Sequence, residues 1–201
     1  TDFSGGYATS APKVFAAASL ELARAAVDLA QQRELPVVGF DLAGAEAGYP
    51  AGEHNEAFQV AHEAFLGKTV HAGEDYGPES IFQAIGDCHA DRIGHGTWLF
   101  STGRIQDTSI KDKKGYVQSL VRYVADRRIT LEVCLTSNQQ TIPEFRADLG
   151  KHPFRDMRKA RLSVALGPDN RQVSRTTMTD EGWKAVETFD LTPREVKDLL
   201  I

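Results

Sequence analysis

The sequence predicts an α/β fold built on parallel strands, and three observations carry that prediction. Short apolar runs alternate with longer segments of helical periodicity. The connections between the runs are long enough for right-handed crossovers. Polar, chemistry-bearing residues stand at the C-terminal ends of the runs. Such alternation is built either as an open doubly wound sheet or as a (β/α) barrel.

Thr1 to Ala11 is polar and rich in Gly and Ser, and reads as loop. Pro12 suits a first helical position. Ala16 to Arg33 carries Leu20, Ala23, Val27 and Ala30 at three-to-four spacing, an amphipathic helix that Pro36 stops. Val37 to Leu42 follows as a nearly all-apolar strand, the kind buried on both faces of a parallel sheet. Gly44, Gly48 and Pro50 make a loop, and Glu53 to Leu66 is a helix with Gly67 as its C-cap. The alternation then repeats. Thr69 to His71 is a strand, Pro78 to Ile85 a helix, and Arg92 to Gly94 a strand that ends at His95. Lys111 to Arg128 is a helix with Val117, Leu120, Val121 and Val124 on one face. Ile129 to Leu135 is a strand, with Thr136-Ser137-Asn138 as the loop at its end. Pro153 to Lys159 is a helix and Leu162 to Leu166 a strand. Two helices close the chain, the second opened by Thr192-Pro193-Arg194-Glu195, a capping-box pattern with proline at N1. No repeat, linker or low-complexity stretch divides these units, so residues 1–201 are expected to form a single domain.

A content of 41% hydrophobic and 25% charged residues over 201 positions suits a globular chain with a real core. The formal net charge of −5 and the lack of a Lys/Arg block exclude binding driven by the nucleic-acid backbone. No apolar run reaches the roughly 18 residues that span a bilayer. Nothing at the start resembles a signal peptide. The expected setting is cytoplasmic, with no membrane partner. Cys88 and Cys134 sit in or beside apolar segments without CxxC spacing, which points to buried thiols rather than a disulfide.

Asp41, His71, His95, Ser137 and Asp169 each fall at the C-terminal end of a different strand. A barrel brings all of them to one face, whereas an open sheet spreads them along an edge. Convergence is the more economical reading. His71 and Asp169 suit a divalent transition metal, yet a catalytic zinc takes three protein ligands, and a closely spaced His pair is absent. A strand-end histidine also serves structure alone. His54, His62, His89 and His152 fall on helices or loops without metal-ligand spacing. Glu74, three residues past His71, is either an acid/base beside a metal or a carboxylate before the Gly77-Pro78 turn. His95, between two glycines, marks either a close backbone approach or a turn. Asp41 anchors a loop or holds a ligand. Asp180, Glu181 and Glu187 read as a solvated face.

These segments together resemble a known family. Val38-Gly39-Phe40-Asp41-Leu42-Ala43-Gly44, Val70-His71-Ala72-Gly73-Glu74, Arg92-Ile93-Gly94-His95-Gly96-Thr97, Leu131 to Asn138 and Asp169-Asn170 stand in the order and rough spacing of the adenosine deaminases. The resemblance runs from about Val37 to the C-terminus. It implies a TIM-type (β/α)8 barrel of the metal-dependent hydrolase superfamily, present as roughly its last five β/α units. It also implies zinc-dependent hydrolysis of adenosine, a purine nucleoside, to inosine and ammonia in purine salvage. By position, His71 and Asp169 match ligands of Zn2+. Glu74 matches the acid that protonates purine N1, and His95 the histidine that orients the attacking hydroxide. Gly44 matches the glycine whose amide meets purine N3, and Asp41 and Asn170 fall with it among the substrate-binding positions.

Three departures from the family accompany these matches. The opening strand with its H-x-H zinc pair has no counterpart, so the chain is expected to be the C-terminal portion of a longer enzyme. By itself it is expected to be inactive, and to associate with the missing N-terminal portion or a second chain, since an open sheet leaves unpaired edges. Asn170 replaces a more usual Asp facing N7, where an amide can donate while neutral. Gly167-Pro168 replaces a more usual Asn/Ser-Thr, and Pro168 removes a backbone donor. The segment from Ser101 to Lys114 is also longer than the usual connection. Two other readings stay open, a deaminase of another aminopurine or modified nucleoside and a non-catalytic barrel fragment acting as a binding module. The loop Asp41 to Tyr49, with Gly44 and Glu46, fits the nucleoside branch.

Overall fold

The computed structural model describes residues 11–32 and 35–199; the loop expected at the N-terminus falls almost wholly outside them. Five parallel strands, β1 (Gly39–Leu42), β2 (Gly67–Ala72), β3 (Arg92–His95), β4 (Thr130–Val133) and β5 (Ser163–Leu166), lie side by side in chain order. That order separates the two architectures. A doubly wound sheet reverses direction at a switch point, whereas crossovers of one hand that always advance the same way build the wall of a (β/α) barrel. The fold is the partial barrel.

The helices are α1 (Ala11–Gln31), α2 (Asn55–Glu63), α3 (Pro78–Asp87), α4 (Lys113–Asp126), α5 (Leu135–Thr141), α6 (Pro143–Ala147), α7 (Phe154–Lys159), α8 (Arg171–Ser174), α9 (Met178–Phe189) and α10 (Pro193–Leu199). Strand side chains alternate between faces. Phe40, Val70, Ile93, Leu131, Val133 and Leu166 turn toward the helices and are buried in one core with Phe58, Ile81, Leu120, Phe154 and Met157. The other face is polar. Register sets Asp41 beside Thr69, His71 beside Gly94 and Gly94 beside Glu132. On that face Arg92 pairs with Glu132, and the Thr130 and Ser163 hydroxyls meet at 2.9 Å.

Several local expectations are corrected by this arrangement. β1 is not buried on both faces: Asp41 is exposed and Val38, just before the strand, is 81% exposed. The reason is that β1 has one strand neighbour among the described residues and puts its polar position on the concave side. Gly67 is the first residue of β2 rather than a cap, because its N–H donates to the Val38 carbonyl at 3.0 Å. Phe65, with φ 60°, makes the left-handed turn after α2 instead. Thr136-Ser137-Asn138 lies within α5 rather than in a loop, and three helices rather than two follow β5.

Asp180, Glu181 and Glu187 do not form one solvated face. Asp180 closes a capping box with Thr177 at the start of α9. Glu181 is fully buried and accepts the Thr136 N–H at 3.1 Å and the Thr176 hydroxyl at 2.9 Å. Adjacent helix positions point in different directions, so neighbouring acids need not share an environment. Cys88 and Cys134 are free and buried, and burial pushes both thiols up to about 12. Among the described residues no helix is long and apolar enough to cross a membrane.

The capping box opening α10 forms as expected. Glu195 Oε2 accepts the Thr192 N–H at 2.7 Å and the Thr192 hydroxyl at 2.8 Å, while Arg158 donates to Oε1 at 2.9 Å. The Thr192 backbone and side-chain bonds, with Arg158 next, hold the Glu195 carboxyl down at about 2, below its ordinary 4.5. A carboxylate with a depressed folded-state pKa stabilises fully above the ordinary value and loses that contribution as pH falls through the folded one. The stability difference between wild type and Glu195→Gln is therefore expected to shrink as pH falls from about 4.5 to about 2. Urea unfolding at stepped pH measures it, and a difference independent of pH contradicts it.

Candidate active site

His71 is the penultimate residue of β2 and faces the concave side of the sheet. A parallel neighbour in register would fill that space, but Gly94 has no side chain, and the imidazole occupies the room. By strand alternation His95 would point away from His71. Instead it takes φ 68°, and the two rings meet edge-on with centroids 4.8 Å apart. Asp169, after β5, also takes a left-handed φ, of 54°. Each such residue costs roughly 1–2 kcal/mol, a strain that folds tolerate mostly where function re-aims a side chain.

Glu74 lies in the turn after β2, with a carboxylate oxygen 3.5 Å from His95 Nε2. The proton positions follow from a backbone group. The Phe154 N–H donates to His152 Nδ1 at 3.1 Å, so His152 carries its proton on Nε2 and donates it to Asn138 Oδ1 at 3.2 Å. That fixes the Asn138 amide with its NH2 toward His95 Nδ1, at 3.2 Å, and Glu74 Oε1, at 3.3 Å. His95 then has its N–H on Nε2, facing Glu74. Burial, and then the neighbouring His71, push the His95 imidazole down to about 4; burial, and then His95, push His152 down to about 3. Burial raises Glu74, with Asp75 and Asp169 adding to the rise, against opposing effects of His71 and of the Thr141 hydroxyl. The carboxyl is shifted toward holding a proton beside a neutral imidazole.

The backbone around Glu74 is held from two sides. Trp98 Nε1 donates to the Glu74 carbonyl at 2.6 Å, with its ring stacked on Phe145 and the Arg104 guanidinium 3.8 Å from the ring centroid. On the other side Glu46, 5% exposed, accepts backbone N–H groups of the same turn.

His71, His95 and Asp169 line one cavity of about 350 Å³. His71 also lines a second, of about 520 Å³, with Leu42, Gly44, Glu46 and Tyr49 and, from α1, Phe15 and Ser19. Gly44 has φ 122° and open space where a side chain would stand. Asp41 sits on the concave face, its carboxyl raised by partial desolvation against the opposing pull of His71. Asn170 caps α8, accepting the Val173 N–H on Oδ1 at 3.1 Å, which leaves its NH2 free to donate. Ser137 donates to Asp169 at 2.6 Å.

His71 and Asp169 fit zinc in kind, and the buried His71 Nδ1 has no hydrogen-bond partner among the described residues. They do not fit it in number, since no group of three His, Cys, Asp or Glu among the described residues could hold a metal. The pair can be part of a site whose other ligands lie elsewhere. Asn138, His152 and Glu46 were not singled out as site residues from the sequence. His152 lies 14 residues from its partner Asn138 and Glu46 lies 27 from Gly73, separations with no periodic signature.

A sequence model of one family, described as adenosine deaminase, matches residues 12–201. The adenosine deaminase of Mycobacterium marinum is 42% identical over 176 residues, covering 87% of this chain and 46% of that protein. Adenosine deaminase 1 of Streptomyces coelicolor is 41% identical over 179 residues, covering 88% and 42%. The chain thus spans about half the length of the curated relatives it matches. Among solved structures, the adenine deaminase of Arthrobacter aurescens superposes with a TM-score of 0.71 at 25% identity, over 92% of this chain and 50% of that one. The N6-mAMP deaminase of Arabidopsis gives a TM-score of 0.71 at 27% identity, over 92% and 48%. With the strand order, the turn of Glu74 and the match over nearly its whole length in agreement, the chain belongs to the adenosine deaminase family.

Proposed function

We propose that this chain carries the acid–base residues and part of the metal set of a hydrolase that deaminates adenosine to inosine and ammonia. The observation that supports it most is the Glu74–His95–Asn138 cluster, with a half-buried carboxyl 3.5 Å from a neutral imidazole beside His71 and Asp169. In this reading Glu74 donates its proton to purine N1, which draws electron density from C6 and opens it to attack by water. His95, with its N–H on Nε2, orients the attacking water and stabilises the charge that develops there. Gly44 presents its backbone amide to N3 from the larger cavity, and the free NH2 of Asn170 donates to N7. Asp41 holds the substrate side of the concave face. His71 and Asp169 are two of the zinc ligands; zinc, when bound, supplies a water acidic near pH 7.

The remaining assignments follow from the same reading. Residues 1–201 form one domain, the C-terminal portion of the barrel, and the isolated polypeptide is inactive for want of metal ligands. β1 and β5 each have one strand neighbour among the described residues, which supports pairing with further strands from the rest of the protein or from a second chain. Salvage of purines in the cytoplasm is the cellular role.

The test is loss of the exocyclic amine from adenosine, adenine and N6-methyl-AMP, offered side by side to the full-length protein containing this chain. Adenosine is expected to have a kcat/KM at least about tenfold above either alternative, with contacts to the sugar discriminating against adenine and the added methyl and phosphate groups against N6-methyl-AMP. Faster turnover of adenine or of N6-methyl-AMP would reassign the substrate. No turnover of any of the three would favour a binding module.

A further inference from the structure

We propose that Glu46 is a positioning residue for proton transfer: its buried carboxylate fixes the Gly73–Tyr76 turn and so aims the Glu74 side chain. The proposal rests on the reading of Glu74 as the proton donor. Four consecutive backbone N–H groups converge on this one side chain. Gly73 donates to Oε1 at 2.8 Å; Glu74, Asp75 and Tyr76 donate to Oε2 at 2.9, 2.6 and 3.3 Å. Successive amides curled in this way form a nest, a concavity that takes an anion. In most proteins such a nest receives a ligand; here the protein fills it with its own carboxylate.

The arrangement also ties two loops together. Glu46 sits two residues past Gly44 on the loop after β1, and Gly48 of the same loop donates its N–H to the Tyr76 hydroxyl at 2.7 Å. The loop proposed to meet one edge of the purine and the turn proposed to protonate another are therefore cross-bonded into a single unit. Gly73 has φ 74°, and a Cβ there would stand 2.7 Å from Ile81 Cδ1, so the backbone of the turn packs closely against α3. Ser80 Oγ receives a second share of the Gly73 N–H at 3.0 Å. Nothing but Glu46 accepts the N–H of Glu74, Asp75 or Tyr76 among the described residues.

A carboxylate suits this place and an amide does not. Glu46→Gln keeps the shape but turns an NH2 toward N–H groups, so that some of the four lose their acceptor. Glu46→Leu removes every acceptor. Both variants keep Glu74, His95 and the Gly44 amide, the groups proposed to meet the purine and the attacking water.

The experiment uses the full-length protein loaded with zinc, as wild type, Glu46→Gln, Glu46→Leu, Glu74→Gln and the Glu46→Gln/Glu74→Gln double variant. With adenosine, Glu46→Gln is expected to lower kcat by about 10- to 100-fold, the penalty of a misplaced catalytic group, with KM changed far less. Glu46→Leu should be slower still. The double variant should be no slower than Glu74→Gln alone, since Glu46 acts through Glu74 and contacting residues are not additive. Hydrogen exchange of the Gly73–Tyr76 amides should accelerate in both Glu46 variants. An unchanged kcat, or losses that multiply in the double variant, would overturn the assignment. Should the wild type not deaminate adenosine, the functional reading falls, and the exchange measurement decides whether Glu46 fixes the turn; unchanged protection overturns that too.

Discussion

Replacing Glu74 by glutamine is expected to lower kcat for adenosine about 10²–10⁴-fold with little change in KM or in folding stability. Glutamine has the size of glutamate and can still accept from Asn138 Nδ2 and Thr141 Oγ1, which reach Glu74 Oε1 at 3.3 Å each. What it lacks is an ionisable proton. Burial shifts the Glu74 carboxyl upward from its ordinary value, against the opposing pull of His71. The rate loss corresponds to about 2.7–5.4 kcal/mol of transition-state stabilisation, far more than one exchanged neutral hydrogen bond contributes. Steady-state kinetics with a thermal melt of each protein makes the measurement. Unchanged turnover in Glu74→Gln would remove Glu74 from the acid role and with it the mechanism proposed here.

Gly94→Ala is the second substitution expected to act strongly, although it adds one methyl group. A Cβ at 94 overlaps His71 Cδ2 and stands 3.2 Å from its Cγ and Nε2. The His95 ring, edge-on at 4.8 Å, blocks one side, so the imidazole must swing out of its place toward the open cavities it lines. Overpacking of this kind costs roughly 1–3 kcal/mol in stability. The effect on the site is larger, since a misplacement of about 1 Å at a reacting centre costs on the order of 10²-fold in rate. Zinc content and adenosine turnover of the full-length variant should fall together, with a small drop in melting temperature. A variant with full zinc content and full turnover would show that His71 is not held to its position by Gly94. It would also weaken its assignment as a ligand.

His95 and Asn138 show where sequence reading reaches its limit. The flanking glycines of His95 left a close backbone approach or a turn open, and the structure puts that histidine in a left-handed conformation against His71. Asn138 was placed in a loop, and the structure puts it in the first turns of α5, bridging Glu74 and His95. Ala-poor, polar Leu135-Thr136-Ser137-Asn138 carries no helical period, so its helix comes from tertiary contacts. One of them is the Thr136 N–H donated to buried Glu181, 45 residues away. Glu181 itself read as solvated, because one acid among three on a helix carries no local mark of burial.

By itself the sequence determined the alternation of strands and helices, the capping box at Thr192, the two buried thiols and the order of His71, Glu74, His95 and Asp169 along successive units. These rest on local chemistry: the two-residue period of strands, the 3.6-residue period of helices and the conformational limits of proline. Only the tertiary structure decided that the strands add in one direction, that the concave face of β1 is polar, and that His152 and Glu46 support Glu74 and its turn from a distance. Each of those depends on hydrogen bonds or strand pairings between residues 14 to 64 apart in the chain. Chain closure over such lengths leaves no pattern within a local window, because the partner can lie anywhere and any polar residue of suitable reach can fill the place.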